Sequence, residues 1–179
     1  MGLLLAAGAG ERFGGPKALA RDDDGTSWLL RAVQALRPCA GIVVVLGAEA
    51  EQAAVLLPMS VARVRADDWA EGMGASLRAG LAALATTAHD SALVSLVDLP
   101  DVDAAVVARL VGAANGTSDL LRASYGGVPG HPVLIGRDHW SGVVETATGD
   151  RGARDYLADH EVVLVECGDL ATGRDVDSR

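Results

Sequence analysis

The sequence predicts an α/β fold with a largely parallel sheet, and three observations carry that prediction. Apolar, β-branched runs such as GIVVVLG (Gly41–Gly47) are short and uncharged, as strands covered on both faces are. Between such runs lie segments of about ten residues whose apolar side chains recur at helical spacing. The two patterns alternate along the whole chain without an internal repeat or a linker, so residues 1–179 read as a single domain.

The elements follow in order. GLLLA (Gly2–Ala6) is a short buried strand. WLLRAVQAL (Trp28–Leu36) is a helix, with Thr26 or Ser27 placed to cap it and Pro38 to stop it. Gly41–Gly47 is the second strand, and Ala50–Leu57 a helix ending at Pro58. Val61–Arg65 is a short strand and Ser76–Ala85 a helix. The run SALVSLVD is a strand ending at Asp98, and Asp103–Ala113 is helical again. Leu120–Tyr125 and Pro132–Ile135 are strands flanking the glycine-rich turn GGVPG. A helix covers Asp150–Ala158, and VVLVE (Val162–Glu166) is the last strand.

Composition narrows the partners. A net charge of −9 argues against nucleic acid and anionic membranes, both of which reward a basic face. Aromatic residues make up only 3% of the chain, which leaves little for stacking on bases. No stretch approaches the ~20 apolar residues of a membrane span. The opening MGLLLAAGAG lacks the basic start of a secretory signal, and Cys39 and Cys167 show no motif spacing, which suits a reducing compartment. The reading is a cytoplasmic protein.

Function points to LAAGAGERFGGPK (Leu5–Lys17), the loop after the first strand. In open α/β sheets ligands bind beyond the carboxyl ends of the strands, where this loop lies. It is not a P-loop: Gly10 and Gly15 have the spacing, but Pro16 precedes Lys17, and Ala18 stands where a hydroxyl would hold magnesium. Nor is it a dinucleotide fingerprint, because Gly8, Gly10 and Gly14 run one residue too long. Its glycines also fit a plain tight turn. Lys17 favours the functional reading: it is the only lysine among 15 Lys and Arg residues. A compact ammonium on a flexible stem suits a point contact to phosphate.

With the loop, four further blocks and the chain's ending resemble the MobA-like nucleotidyltransferases, above all the molybdenum cofactor cytidylyltransferases. LAAGAGERFGGPK is similar to the signature L-A-A-G-x-[GS]-x-R-[FM]-G-x-P-K. DWAEGMGASLRAGLAAL (Asp68–Leu84), VDLPDV (Val97–Val102), GVPGHPVLI (Gly127–Ile135) and GDRGARDYL (Gly149–Leu157) resemble the blocks that follow. RDVDS (Arg174–Ser178) resembles the D-I-D-T close. The chain departs from the pattern at Ala66, where an asparagine is common, and at Val97, where glycine is.

The resemblance implies a three-layer α/β/α sandwich of the GT-A-like type, with a mostly parallel, mixed sheet. It implies transfer of a nucleoside monophosphate from a triphosphate to a phosphorylated acceptor, with release of pyrophosphate. Cytidylyl transfer from CTP to the molybdopterin cofactor is the leading version. Ala7, where guanylyl-transferring relatives have glycine, favours a pyrimidine. The implied nucleotide site is Leu5, Ala6, Ala7, Gly8, Ala9, Gly10, Arg12, Lys17, Gly74, Ser76 and Asp98, with Arg12, Lys17 and Asp98 catalytic. Magnesium would sit on Asp98 and Asp177, with Asp175 a second choice for the latter. His131, Arg151 and Arg154 would bind the acceptor. Some similar proteins carry the label nicotine blue oxidoreductase, implying NADH-dependent dye reduction on the same fold. A non-catalytic chaperone handing the cofactor to a molybdenum hydroxylase is a third version.

Position alone also allows plainer roles. Arg12 fits a surface arginine, and Asp98 fits a cap for the turn at Leu99–Pro100. His131 fits a turn-pinning histidine, and Arg151 and Arg154 a solvated helix face. Asp22, Asp23 and Asp24 read as a solvated loop, and His89, His139 and His160 as surface histidines.

Overall fold

A computed structural model describes residues 1–176. Seven strands form one sheet in the order β3-β2-β1-β4-β6-β5-β7. They are β1 (Gly2–Ala6), β2 (Ile42–Leu46), β3 (Ala62–Arg65), β4 (Ser91–Leu96), β5 (Leu120–Tyr125), β6 (Val128–Gly136) and β7 (Val163–Glu166). β1 pairs in parallel with β2 and β4, β2 with β3, and β5 with β7. β6 runs antiparallel to both β4 and β5, so the sheet is mixed but mostly parallel.

Both faces are covered, because alternate side chains of each strand point to opposite sides. One face (Leu4, Val44, Leu93, Leu134) packs under α1 (Trp28–Ala35), α2 (Ala50–Leu56) and α4 (Ala104–Ala113). The other (Leu3, Val45, Val94, Ile135) packs under α3 (Met73–Ala85), α5 (Trp140–Thr146) and α6 (Arg154–Ala158). The result is a three-layer α/β/α sandwich. Among the described residues no helix is long and apolar enough to cross a membrane.

Local chemistry sets several boundaries. Ser27, not Thr26, caps α1, its hydroxyl accepting from the Leu30 N–H at 3.4 Å. Asp22 is not merely solvated: it accepts from the Trp28 indole at 2.6 Å and pairs with Arg31, tying the acidic loop to α1. Asp103 caps α4 by accepting from Ala105 and Val106.

Four expectations need correction. α3 begins at Met73 rather than Ser76, its glycine-rich first turn hiding the start. The turn expected over GGVPG shrinks to Gly126 and Gly127, at φ +61° and +80°, the pair of positive values a tight two-residue hairpin requires. β6 therefore includes Pro129 and Gly130, opposite a bulge between Arg122 and Ser124. The helix expected over Asp150–Ala158 splits into a 3₁₀ turn, Gly149–Arg151, and α6. Finally, α5 was not foreseen, and β4 stops at Leu96, so Asp98 lies in the turn beyond it.

Candidate active site

The Leu5–Lys17 loop crosses the carboxyl ends of β1 and its neighbours. Leu5, Ala6 and Ala7 are buried, and the Ala7 carbonyl accepts from the Ala48 N–H at 2.9 Å. The Ala7 methyl belongs to the core cluster of Ala66, with Trp69 against it. Beyond Ala7 the chain rises into solvent, and nothing lies within 4 Å of where a Gly8 side chain would project. Gly10 sits at φ +63°, and a β-carbon there would collide with the Gly15 carbonyl oxygen. That carbonyl is close because the loop coils tightly: the Gly10 oxygen accepts from the N–H groups of Phe13, Gly14 and Gly15 at 3.0, 2.9 and 3.1 Å. Among the described residues no backbone hydrogen bond takes the N–H groups of Gly8, Ala9 or Gly10. Unpaired N–H groups at the end of a parallel strand form a concavity for anions. Arg12 is exposed at the tip of the coil.

Lys17, expected to contact a phosphate, has a partner within the protein. Its ammonium donates to Asp98 Oδ2 at 2.7 Å, with each side chain only 15% exposed. The ammonium also lies 6.0 Å from the centroid of the Phe13 ring. Asp98 is held between buried Val97 and Leu99, so its backbone is anchored on both sides. Its carboxylate accepts from Lys17 and from no backbone N–H of the following turn among the described residues, which sets aside the capping role. Its other oxygen, Oδ1, is buried without a hydrogen-bond partner. A buried carboxylate oxygen with nothing to accept is costly unless something occupies it, and a divalent cation fits that requirement. No group of three or more His, Cys, Asp or Glu side chains converges among the described residues. A lone carboxylate completed by substrate phosphates is how magnesium is often held.

The chain returns to this point at its end. Arg109 grips Asp169 through two hydrogen bonds of 2.5 and 2.9 Å. Asp101 Oδ2 accepts from both the N–H and the hydroxyl of Thr172, each at 2.6 Å. The Val176 N–H then donates to the Asp98 carbonyl at 3.1 Å. Asp177, the second metal ligand expected, lies outside the described residues.

A second concavity opens between α3, β5, β6 and the turn before α6. Leu5, Leu77, Val94 and Val133 form its floor, and His131, Arg151 and Arg154 all line it. The structure thus gathers the three residues expected to bind acceptor. Burial, reinforced by the charge of Arg122, pushes the His131 imidazole down to about 4 against the opposing pull of Asp175, so it is neutral near pH 7. Its backbone carbonyl accepts from the Tyr125 hydroxyl at 2.6 Å, which pins the chain and leaves the ring to the cavity. Arg151 pairs with Asp155 within its own segment, whereas Arg154 forms no hydrogen bond or ion pair among the described residues. Gly74 and Ser76 are buried in the first turn of α3, and a β-carbon on Gly74 would crowd the Thr148 amide nitrogen at 2.8 Å.

Sequence reasoning missed Arg122. It lies on β5, in register with Val133 and Leu164, at an inward position that apolar side chains otherwise fill. The signal was present: LLRASY places one charge in the middle of a buried strand.

Comparison with known proteins completes the picture. The model of the MobA-like NTP transferase domain matches residues 2–163. The chain is 36% identical over 190 residues to a protein of Paenarthrobacter nicotinovorans named nicotine blue oxidoreductase, covering 99% of this chain and 91% of that one. It is 34% identical over 115 residues to a probable molybdenum cofactor guanylyltransferase of Rhodopirellula baltica, covering 63% of this chain and 54% of that one. The crystal structure of a Mycobacterium sp. strain JC1 homologue of Mycobacterium tuberculosis Rv0371c superposes with a TM-score of 0.84 at 27% identity, covering 99% and 89% of the two chains. The chain belongs to the MobA-like NTP transferase family, on the GT-A-like fold of nucleotidyltransferases.

Proposed function

We propose that this nucleotidyltransferase moves CMP from CTP to a phosphorylated acceptor, the molybdopterin cofactor being the acceptor we favour, and releases pyrophosphate. One observation carries the reading. The chain's only lysine is locked to Asp98 beside an unpaired arc of glycine-loop N–H groups, and the second Asp98 oxygen has no partner. That arrangement suits a triphosphate and its cation.

In this reading the N–H groups of Gly8, Ala9 and Gly10 bind phosphate oxygens, and Arg12 and Lys17 clamp the triphosphate from the loop. Lys17 is held in place by Asp98, so its ammonium is already oriented before the substrate arrives. Asp98 Oδ1, with Asp177 as a second carboxylate, would hold magnesium, which when bound neutralises phosphate charge. The acceptor phosphate attacks the α-phosphorus in line, the α–β bridging bond breaks, and pyrophosphate carries away the electron pair. No side chain needs to act as nucleophile, so catalysis is positioning and charge neutralisation. Neutral His131 and the arginines of the second concavity face the acceptor. Ala7 supports CTP over GTP by narrowing the space at the strand end. We place the reaction in the cytoplasm.

The relative named nicotine blue oxidoreductase supports a second reading, NADH-dependent reduction on the same scaffold. The two separate cleanly. Pyrophosphate release from CTP with magnesium, measured alongside NADH oxidation, is expected to show the first and not the second; NADH oxidation without pyrophosphate would reverse the assignment.

A further inference from the structure

We infer that Arg122 recognises the acceptor's phosphate monoester, with Arg154 closing on the same group, an inference that rests on the acceptor reading above. Arg122 reaches the second concavity from the floor of the sheet, not from a surface helix. Its guanidinium is aimed by backbone: Nε donates to the Gly130 carbonyl at 3.0 Å and Nη2 to that of Pro129 at 3.5 Å. Its Nη1 donates no hydrogen bond among the described residues.

The charge balance is what points to a ligand. Among the described residues Arg31, Arg65, Arg78, Arg109 and Arg151 each pair with a carboxylate. Arg21, Arg63 and Arg137 lack a carboxylate partner but donate to backbone carbonyls away from this cavity, whereas Arg122 and Arg154 line the same cavity and neither pairs with a carboxylate. The two uncompensated guanidinium groups line one cavity and repel each other, and burial of Arg122 adds to that cost by opposing its charge. Asp150 lines the cavity as well and forms no ion pair with either arginine. A dianion placed between the two arginines removes both costs and offers the planar fork a bidentate partner. The neighbouring floor of Leu5, Leu77 and Val94 is apolar, so the group that carries the phosphate has an apolar face of its own. A phosphate ester on an organic body with an apolar face meets both halves of the site. A free inorganic anion meets only one.

The competing role for Arg122 is to brace the backbone of Pro129 and Gly130 opposite the bulge, and the experiment separates the two. Phenyl phosphate serves as the probe and phenol as its uncharged counterpart, each titrated calorimetrically into wild type, Arg122→Gln, Arg122→Lys and Arg154→Gln. The expected result is that wild type prefers phenyl phosphate to phenol and that Arg122→Gln weakens phenyl phosphate about 10-fold or more. Arg122→Lys should lie between them, phenol should respond to none of the changes, and CTP affinity with magnesium should hold in all variants. Equal phenyl phosphate affinity in Arg122→Gln and wild type, or no preference over phenol in wild type, overturns the inference. Should Arg122→Gln fail to fold, Arg154→Gln decides: weaker phenyl phosphate binding supports the clamp, and unchanged binding overturns it. Failure of wild type to bind CTP with magnesium strikes the nucleotidyl reading instead, because that measurement contains no acceptor phosphate.

Discussion

Asp98 and Lys17 divide two jobs that one residue cannot do. The ammonium fixes one carboxylate oxygen at 2.7 Å, and the other is buried with no hydrogen-bond partner, a group that a cation would satisfy in the proposed reaction. Asp98→Asn keeps the shape and an acceptor for Lys17 but removes the charge. It should lower ligand-free thermal stability, because Lys17, only 15% exposed, keeps an acceptor but loses its counter-charge. It should also abolish the strengthening of CTP binding by magnesium, read by titrating CTP with and without the metal. Equal strengthening in both proteins would place the cation elsewhere. Lys17→Ala tests the other half. It removes a hydrogen bond to a charged group on either partner, so triphosphate binding should fall by about 1.5–3 kcal/mol. Because Asp98 then loses its counter-charge, the ligand-free protein should also melt lower, an effect invisible in the sequence, where Lys17 read as a cation facing ligand alone.

Among the elements, those whose chemistry is local were legible and those set by tertiary contact were not. β1, β2 and β5 matched their apolar runs to within a residue, and Ser27 and Asp103 acted as the caps that their residue types favour. α5 was hidden because WSGVVET carries a glycine in mid-helix; the Tyr156 ring fills that space, so a β-carbon on Gly142 would meet its Cε2 at 2.5 Å. Arg122 stood out as a charge within an apolar strand, but whether that position faces a cavity depends on β6 and α3. The opening loop was legible as a glycine-rich segment beyond the first strand, but not its internal coil on the Gly10 carbonyl. Gly10→Ala should therefore do more than the roughly 1 kcal/mol cost of a left-handed alanine. The clash with the Gly15 carbonyl is with backbone, so the coil must open, and CTP affinity should drop while the Asp98 region stays folded; unchanged affinity would show that the coil is dispensable. The β5–β6 hairpin offers a pH test. Hydrogen bonds from Ser124, then Gly126, Gly127 and Gly168 hold the Glu166 carboxyl down to about 2, from an ordinary 4.5. A depressed carboxylate stabilises the fold fully above its unfolded value, and that contribution is lost as pH falls from 4.5 towards 2. Melting temperature should thus decline with acid over that window in wild type, and less steeply in Glu166→Gln.

In the whole molecule the glycine loop belongs to one half of the sheet, and the second concavity spans the junction between the two halves. β3, β2, β1 and β4 form a parallel half that presents the glycine loop, and β6, β5 and β7 form the half that presents Arg122 and His131. The halves meet where β6 runs antiparallel to β4, and a strap from Cys167 to Val176 crosses back over that junction. The strap has few apolar anchors; polar contacts hold it, chiefly Asp169 on Arg109 and Thr172 on Asp101, before Val176 reaches the Asp98 carbonyl. With a net charge of −9, any further carboxylate brought close to a bound triphosphate would be costly in the absence of a cation. Strap and metal should therefore be coupled. Asp101→Ala removes both hydrogen bonds to Thr172 while leaving the sheet and the Lys17–Asp98 pair untouched. The expected outcome is faster amide exchange over 172–176, a small loss of melting temperature, and a magnesium requirement for CTP binding shifted several-fold higher. Magnesium titrations at fixed CTP check the last point. If exchange accelerates while the magnesium midpoint stays where it was, the strap packs against the site without contributing to it, and Asp98 binds the cation with substrate phosphates alone.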